Sequence, residues 1–166
     1  MRKIFLRVIL AAIFALAGLT ASAQQAVSVE ESVKQIVSEF DDIKGFNCMV
    51  LSQGLQFKIV KEVFKQKFGK EFMKDVTSIV LIDYSKASEE NRRAFRSKIE
   101  AFSGQLQEFG LNKQEAKDGQ YTKAFATTHD DALTISNFMV ITESDSSVLF
   151  LYMGGTLNTG KMELNL

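Results

Sequence analysis

Apolar residues fall at helical spacing in three stretches and at strand spacing in the rest, and this pattern organises the chain. Val29, Val33, Ile36, Val37 and Phe40 recur every three or four positions. With Ser28 and Glu31 as a capping box before them, they predict an amphipathic helix over 28–40. Asp41, Asp42 and Gly45 end it. Phe46 to Leu51 reads as a short strand, and Ser52-Gln53-Gly54 leads into a second helix. That helix carries Ile59, Val60, Val63, Phe64 and Phe68 on one broad face, with Gly69 at its end.

Val76 to Tyr84 contains the unbroken run Ile79-Val80-Leu81-Ile82, as expected of a strand covered on both faces or central in a sheet. Ser88 caps a third helix, with Glu89 and Glu90 in its first turn. Phe95, Ile99, Phe102, Leu106 and Phe109 extend its stripe to Gly110, and Gly104 inside it should cost about 1 kcal/mol relative to Ala. The period then becomes strand-like. Asp118-Gly119 signals a hairpin between 113–117 and 120–127. In the second arm Tyr121, Lys123, Phe125 and Thr127 face one way, and Thr122, Ala124 and Ala126 the other. Arms at 132–142 and 147–153 follow, with a last arm at about 156–164 after Gly154-Gly155. Helices alternate with strands in the first half, and a β-meander makes up the second. The pattern predicts an α+β fold: three helices packed on one face of a largely antiparallel sheet.

The N-terminus is patterned as an address. Arg2, Lys3 and Arg7 precede an apolar run of 12 residues from Val8 to Leu19, and Ala21-Ser22-Ala23 supplies a small-x-small cleavage site. Residues 1–23 therefore read as a signal peptide and 24–166 as a single α+β domain. The apolar run is shorter than the ~20 residues that span a bilayer, so no transmembrane helix is expected after cleavage. With no Cys near residue 23, the product is expected to be periplasmic or extracellular and not a lipoprotein.

Composition narrows the chemistry. The 166 residues include one Cys, one His, no Pro and no Trp, with 20 basic against 20 acidic side chains. One Cys and one His cannot supply a structural zinc site, and no cofactor is implied. Without the signal peptide the formal charge is −3, which argues against nucleic acid as a partner. Cys48 lies among Phe46, Met49, Val50 and Leu51, which predicts a buried strand where the thiol acts as a small hydrophobe.

With these segments in view — FDDIKGFNCMVLS, TSIVLIDYS and the C-terminal meander — the chain resembles the domain-of-unknown-function 4252 family of small exported proteins from gram-negative bacteria. Members of that family often lie near genes for envelope-stress sigma factors, which implies an envelope role. The resemblance carries no activity and no site residue.

Three features compete as sites. His129-Asp130-Asp131 is the one His-acid cluster; it could serve a hydrolase or metal-dependent enzyme, or be a polar turn. Lys58, Lys61 and Lys65 begin a basic face on the second helix, joined by Lys67, Lys70 and Lys74 and interleaved with Phe57, Phe64, Phe68 and Phe72. That face suits a protein partner or an anionic envelope component, although a core-packing helix with solvated lysines gives the same pattern. Gly154-Gly155 is too short to cradle a phosphate. The expectation is a non-catalytic binding protein of the cell envelope. A metal-dependent or hydrolytic enzyme and a carrier of a small apolar ligand are the rival readings, and the oligomeric state is open.

Overall fold

Among the described residues, the alternating and helical periods resolve into six strands and three helices. In the computed structural model, residues 28–104, 106–109, 121–131, 133–145 and 147–161 are described. In chain order the elements are α1 (Val29–Phe40), β1 (Asn47–Leu51), α2 (Gly54–Phe68), β2 (Val76–Asp83), α3 (Glu89–Ser103), β3 (Gln107–Phe109), β4 (Tyr121–Thr128), β5 (Thr134–Ser144) and β6 (Ser147–Asn158). A 3-10 turn, Thr159–Lys161, follows. The strands form one sheet in the order β1-β2-β6-β5-β4-β3, every neighbouring pair antiparallel. The α+β class and the C-terminal meander are thus as read.

The helices are divided between the two faces of the sheet, where the pattern predicted all three on one. α1 and α3 place Val33, Ile36, Phe40, Phe95 and Ile99 against Val80, Ile82, Phe125, Met139, Ile141, Phe150 and Tyr152. On the other face Phe64 and Phe68 of α2, with Phe72 and Met73 after it, meet Ile79, Ala124, Val140, Leu151 and Met153. The physical reason lies in the strands. Successive side chains point to opposite faces, and β2, β5 and β6 are apolar at consecutive positions, so each face needs a cover. The run Ile79-Val80-Leu81-Ile82 sends its odd members to α2 and its even members to α1 and α3.

Element ends differ from the pattern in four places. The α3 stripe stops at Ser103; Gly104 caps the helix, and Gln107–Phe109 pairs with β4 instead of continuing it. A sheet edge with free backbone groups satisfies those residues' hydrogen bonds as a weak helical extension past Gly104 cannot. The Ser28 hydroxyl accepts no hydrogen bond from the first-turn N–H groups of α1 and instead donates to the Glu31 carboxylate. β1 is an edge strand rather than a buried one, with Met49 46% and Val50 45% exposed. Finally, β6 runs through Gly154-Gly155 as one strand. The first arm of the Asp118-Gly119 hairpin lies outside the described residues.

Three irregularities interrupt the strand pairing. Register shifts occur at Val76/Ser78 against β6, at Phe125/Thr127 against β5 and at Ser136/Phe138 against β6. Asn137 takes up the shift on β5 with a φ of 52°. The Tyr152 hydroxyl donates to Asn137 Oδ1 at 3.2 Å, and Asn137 Nδ2 donates to Thr127 Oγ1 at 3.3 Å, so the side chains there are tied together.

Candidate functional site

The His-acid cluster is a turn. Asp131 Oδ1 accepts from the backbone N–H of Leu133 at 3.1 Å and of Thr134 at 2.8 Å, which shapes the β4–β5 connection. Hydrogen bonds from the Thr134 side chain and backbone hold the Asp131 carboxyl below the usual carboxylate range. His129 is exposed, with Nε2 3.1 Å from Ser136 Oγ, and neither aspartate orients it by a hydrogen bond among those described. Glu143 stands at the far end of β5, roughly 30 Å along the strand. Among the described residues no group of three His, Cys, Asp or Glu side chains could hold a metal. These residues are not brought together as a hydrolytic or metal centre would require.

A second location is a polar cleft of about 820 Å³ where the N-terminal part of α3 meets the β5–β6 turn. Glu89, Arg92, Arg96, Tyr121 and Glu143 are among its walls. Its arginines are committed internally. Arg96 bridges Glu143 and Glu89, the latter at 3.3 Å, and Arg92 donates to the carbonyls of Ala87, at 3.1 Å, and Ser85. Burial opposes the charge on Arg96, but the carboxylates of Glu143 and Glu89 outweigh it and raise its pKa. Tyr84 is buried behind Glu143, and burial, reinforced by that carboxylate, pushes its hydroxyl well above its ordinary pKa. Nearby, Glu100 accepts from the Tyr121 hydroxyl at 2.6 Å and from Lys123 at 2.9 Å, and is held low by both. The network locks α3 to β4 and β5. Its polar lining does not suit a carrier of an apolar ligand.

The third location is α2. Phe57, Val60, Phe64 and Phe68 turn inward onto the sheet, which leaves Leu55, Ile59 and Val63 outside at 72%, 55% and 55% exposure. Spaced four apart, these three form one stripe along the outer surface of the helix. The pattern predicts Ile59 and Val63 on one broad face with Val60, Phe64 and Phe68, and the structure splits that face in two. The chain itself carried a signal for the division. The apolar positions form two series, 55-59-63 and 60-64-68, and a helix against one sheet can bury only one side.

The predicted lysines have different fates. Lys58 is exposed beside the stripe. Lys65 lies 3.5 Å from Glu62 in an i,i+3 pair. Lys61 turns back, donating from Nζ to the carbonyls of Lys74 at 2.9 Å and Val76 at 2.6 Å, and so ties α2 to the start of β2. Burial, with the charge of Lys65 adding to it, lowers its pKa. Lys67 stands four residues beyond Val63, while Lys70 and Lys74 are exposed on the following turn. The arrangement offers an exposed apolar strip with lysines, and the Glu62–Lys65 pair, beside it. The chain finds no match among protein-family models, curated proteins or solved structures.

Proposed function

We propose that this chain is an exported, non-catalytic binding module of the gram-negative cell envelope, periplasmic or extracellular, working through the outer face of α2. The single observation that carries the reading is the stripe Leu55, Ile59 and Val63, which stays open to solvent near Lys58 and Lys67 although the same helix buries Phe64 and Phe68. A contiguous exposed apolar patch rimmed by polar groups is a usual mark of an interaction surface. The signal-peptide pattern of residues 1–23 and the resemblance to the domain-of-unknown-function 4252 family support an envelope location. The structural work found for Asp131, Arg92 and Arg96 supports a non-catalytic role.

The test has two parts. N-terminal sequencing of the exported product should begin at Gln24, and retention of Met1 counts against export with cleavage. That product should co-sediment with isolated envelopes of a gram-negative host. The Leu55→Ser/Ile59→Ser/Val63→Ser variant should remain in the supernatant, while His129→Ala should sediment like the parent. If His129→Ala alone abolishes sedimentation, the working surface is at the β4–β5 turn and the reading is wrong.

A further inference from the structure

We infer that the occupant of the outer face of α2 is the surface of an anionic lipid bilayer, with the helix lying flat on it. This rests on the reading of α2 as the working surface and names what it meets.

Three observations lead there. The first is shape: among the described residues α2 is the outer layer on its side of the sheet, and its 15 residues make a rod about 22 Å long with an apolar strip down the outside. A flat bilayer can meet such a rod along its whole length. The strip is too short and too polar at its flanks to insert; among the described residues no helix is long and apolar enough to cross a membrane. Lying in the interface, with Leu55, Ile59 and Val63 at the headgroup boundary, is the geometry that remains.

The second observation is charge. Residues 54–74 hold six lysines and two glutamates, a local charge of +4. The remainder of residues 24–166 holds 11 basic and 18 acidic side chains, or −7. An anionic surface would attract the α2 side and repel the rest, which orients the molecule. Lys58 is exposed next to Ile59 and Lys67 is half-buried, four residues after Val63 at the C-terminal end of the strip, so lysine stems can lie along it with their ammonium groups toward phosphates.

The third concerns the competing occupant, a second copy of the chain. Two α2 helices packed strip to strip would bring their lysine flanks together, with Glu62 already paired to Lys65. Like charges at such close quarters oppose that pairing. An anionic lipid surface answers the same charges.

Flotation of the exported product with vesicles tests this, using phosphatidylglycerol and phosphatidylethanolamine at about one to three, and phosphatidylcholine alone as the neutral surface. The protein should float with the anionic vesicles only, and about 0.5 M salt should release most of it. The Leu55→Ser/Ile59→Ser/Val63→Ser and Lys58→Gln/Lys67→Gln variants should each bind about tenfold more weakly or worse, with unchanged circular dichroism. Lys34→Gln/Lys86→Gln removes the same charge from exposed positions away from α2 and should float like the parent. Equal loss in that control pair, or equal binding to neutral vesicles, overturns the inference. So does a dimer in light scattering that the serine variant dissociates, with no flotation. If envelopes still retain the parent but pure vesicles do not, the lipid assignment fails while the binding reading survives. If neither retains it, both fail.

Discussion

Cys48 illustrates how a residue's chemistry follows from where its strand lies. On the edge strand β1 it turns toward the α1–α3 side and is only half-buried, yet burial, with Asp41 adding to it, pushes its thiol up to about 11. Burial disfavours the thiolate, so the folded pKa lies above the unfolded value of about 8.5. The stabilisation this brings is complete below the unfolded value and is lost as the pH rises through the folded one. Alkylation at pH near 8 should therefore be slow in the native protein and fast in urea, and the native rate should reach half its maximum near pH 11. A native profile centred near that of a free thiol would contradict the burial. The sequence marked Cys48 as unreactive through its apolar neighbours, but it could not tell an edge strand from a central one. That difference is set by which strand pairs on its far side.

At the scale of elements, strands read more accurately than their ends. β2 follows the apolar run at 76–84 to within a residue, whereas β6 continues through two glycines that looked like a turn. Gly155 has a φ of 87°, and a Cβ there would lie 2.2 Å from the Asp75 carbonyl oxygen. The glycine lets β6 press against the shifted start of β2. Gly155→Ala should cost about 2–4 kcal/mol in urea unfolding, because backbone conformation and backbone clash both oppose it. A loss below about 0.5 kcal/mol would mean that the register shift relaxes without cost. Helix α3 shows the same limit from the other direction. Its stripe reaches Phe109 in the sequence, but the open edge of β4 takes residues 107–109 as a strand. Local periodicity carries no information about a distant strand needing a neighbour.

Across the whole molecule, the two layers of helices differ in what they contribute. On the α1–α3 side Phe95 is fully buried, with ring centroids 5.1 Å from Phe40, 5.5 Å from Phe46, 4.9 Å from Tyr84 and 5.8 Å from Phe150. It joins α3 to α1, the following loop and the sheet. Phe95→Ala should cost about 3–5 kcal/mol, whereas Val63→Ser on the outside of α2 should stay within about 0.5 kcal/mol, both read from denaturant midpoints at constant slope. A large cost for Val63→Ser would place that side chain in the core and remove the basis of the proposed surface. Lys61→Ala should by contrast destabilise the fold, since its ammonium group holds two carbonyls at the α2–β2 turn.

The features legible in the chain alone were local: three helices, the strand at 76–84, the meander, and too few Cys and His for a structural zinc site. These follow from hydrophobic period, capping and composition, which act over a few residues or over none. The tertiary structure decided what depends on a partner far along the chain. It put α2 on the opposite face from α1 and α3, because consecutive apolar residues in β2, β5 and β6 expose two faces that must both be covered. It also chose which of the two apolar series on α2 to bury. The side with Phe64 and Phe68 went to the sheet, since one helix can press only one side against it, and Leu55, Ile59 and Val63 were left facing outward.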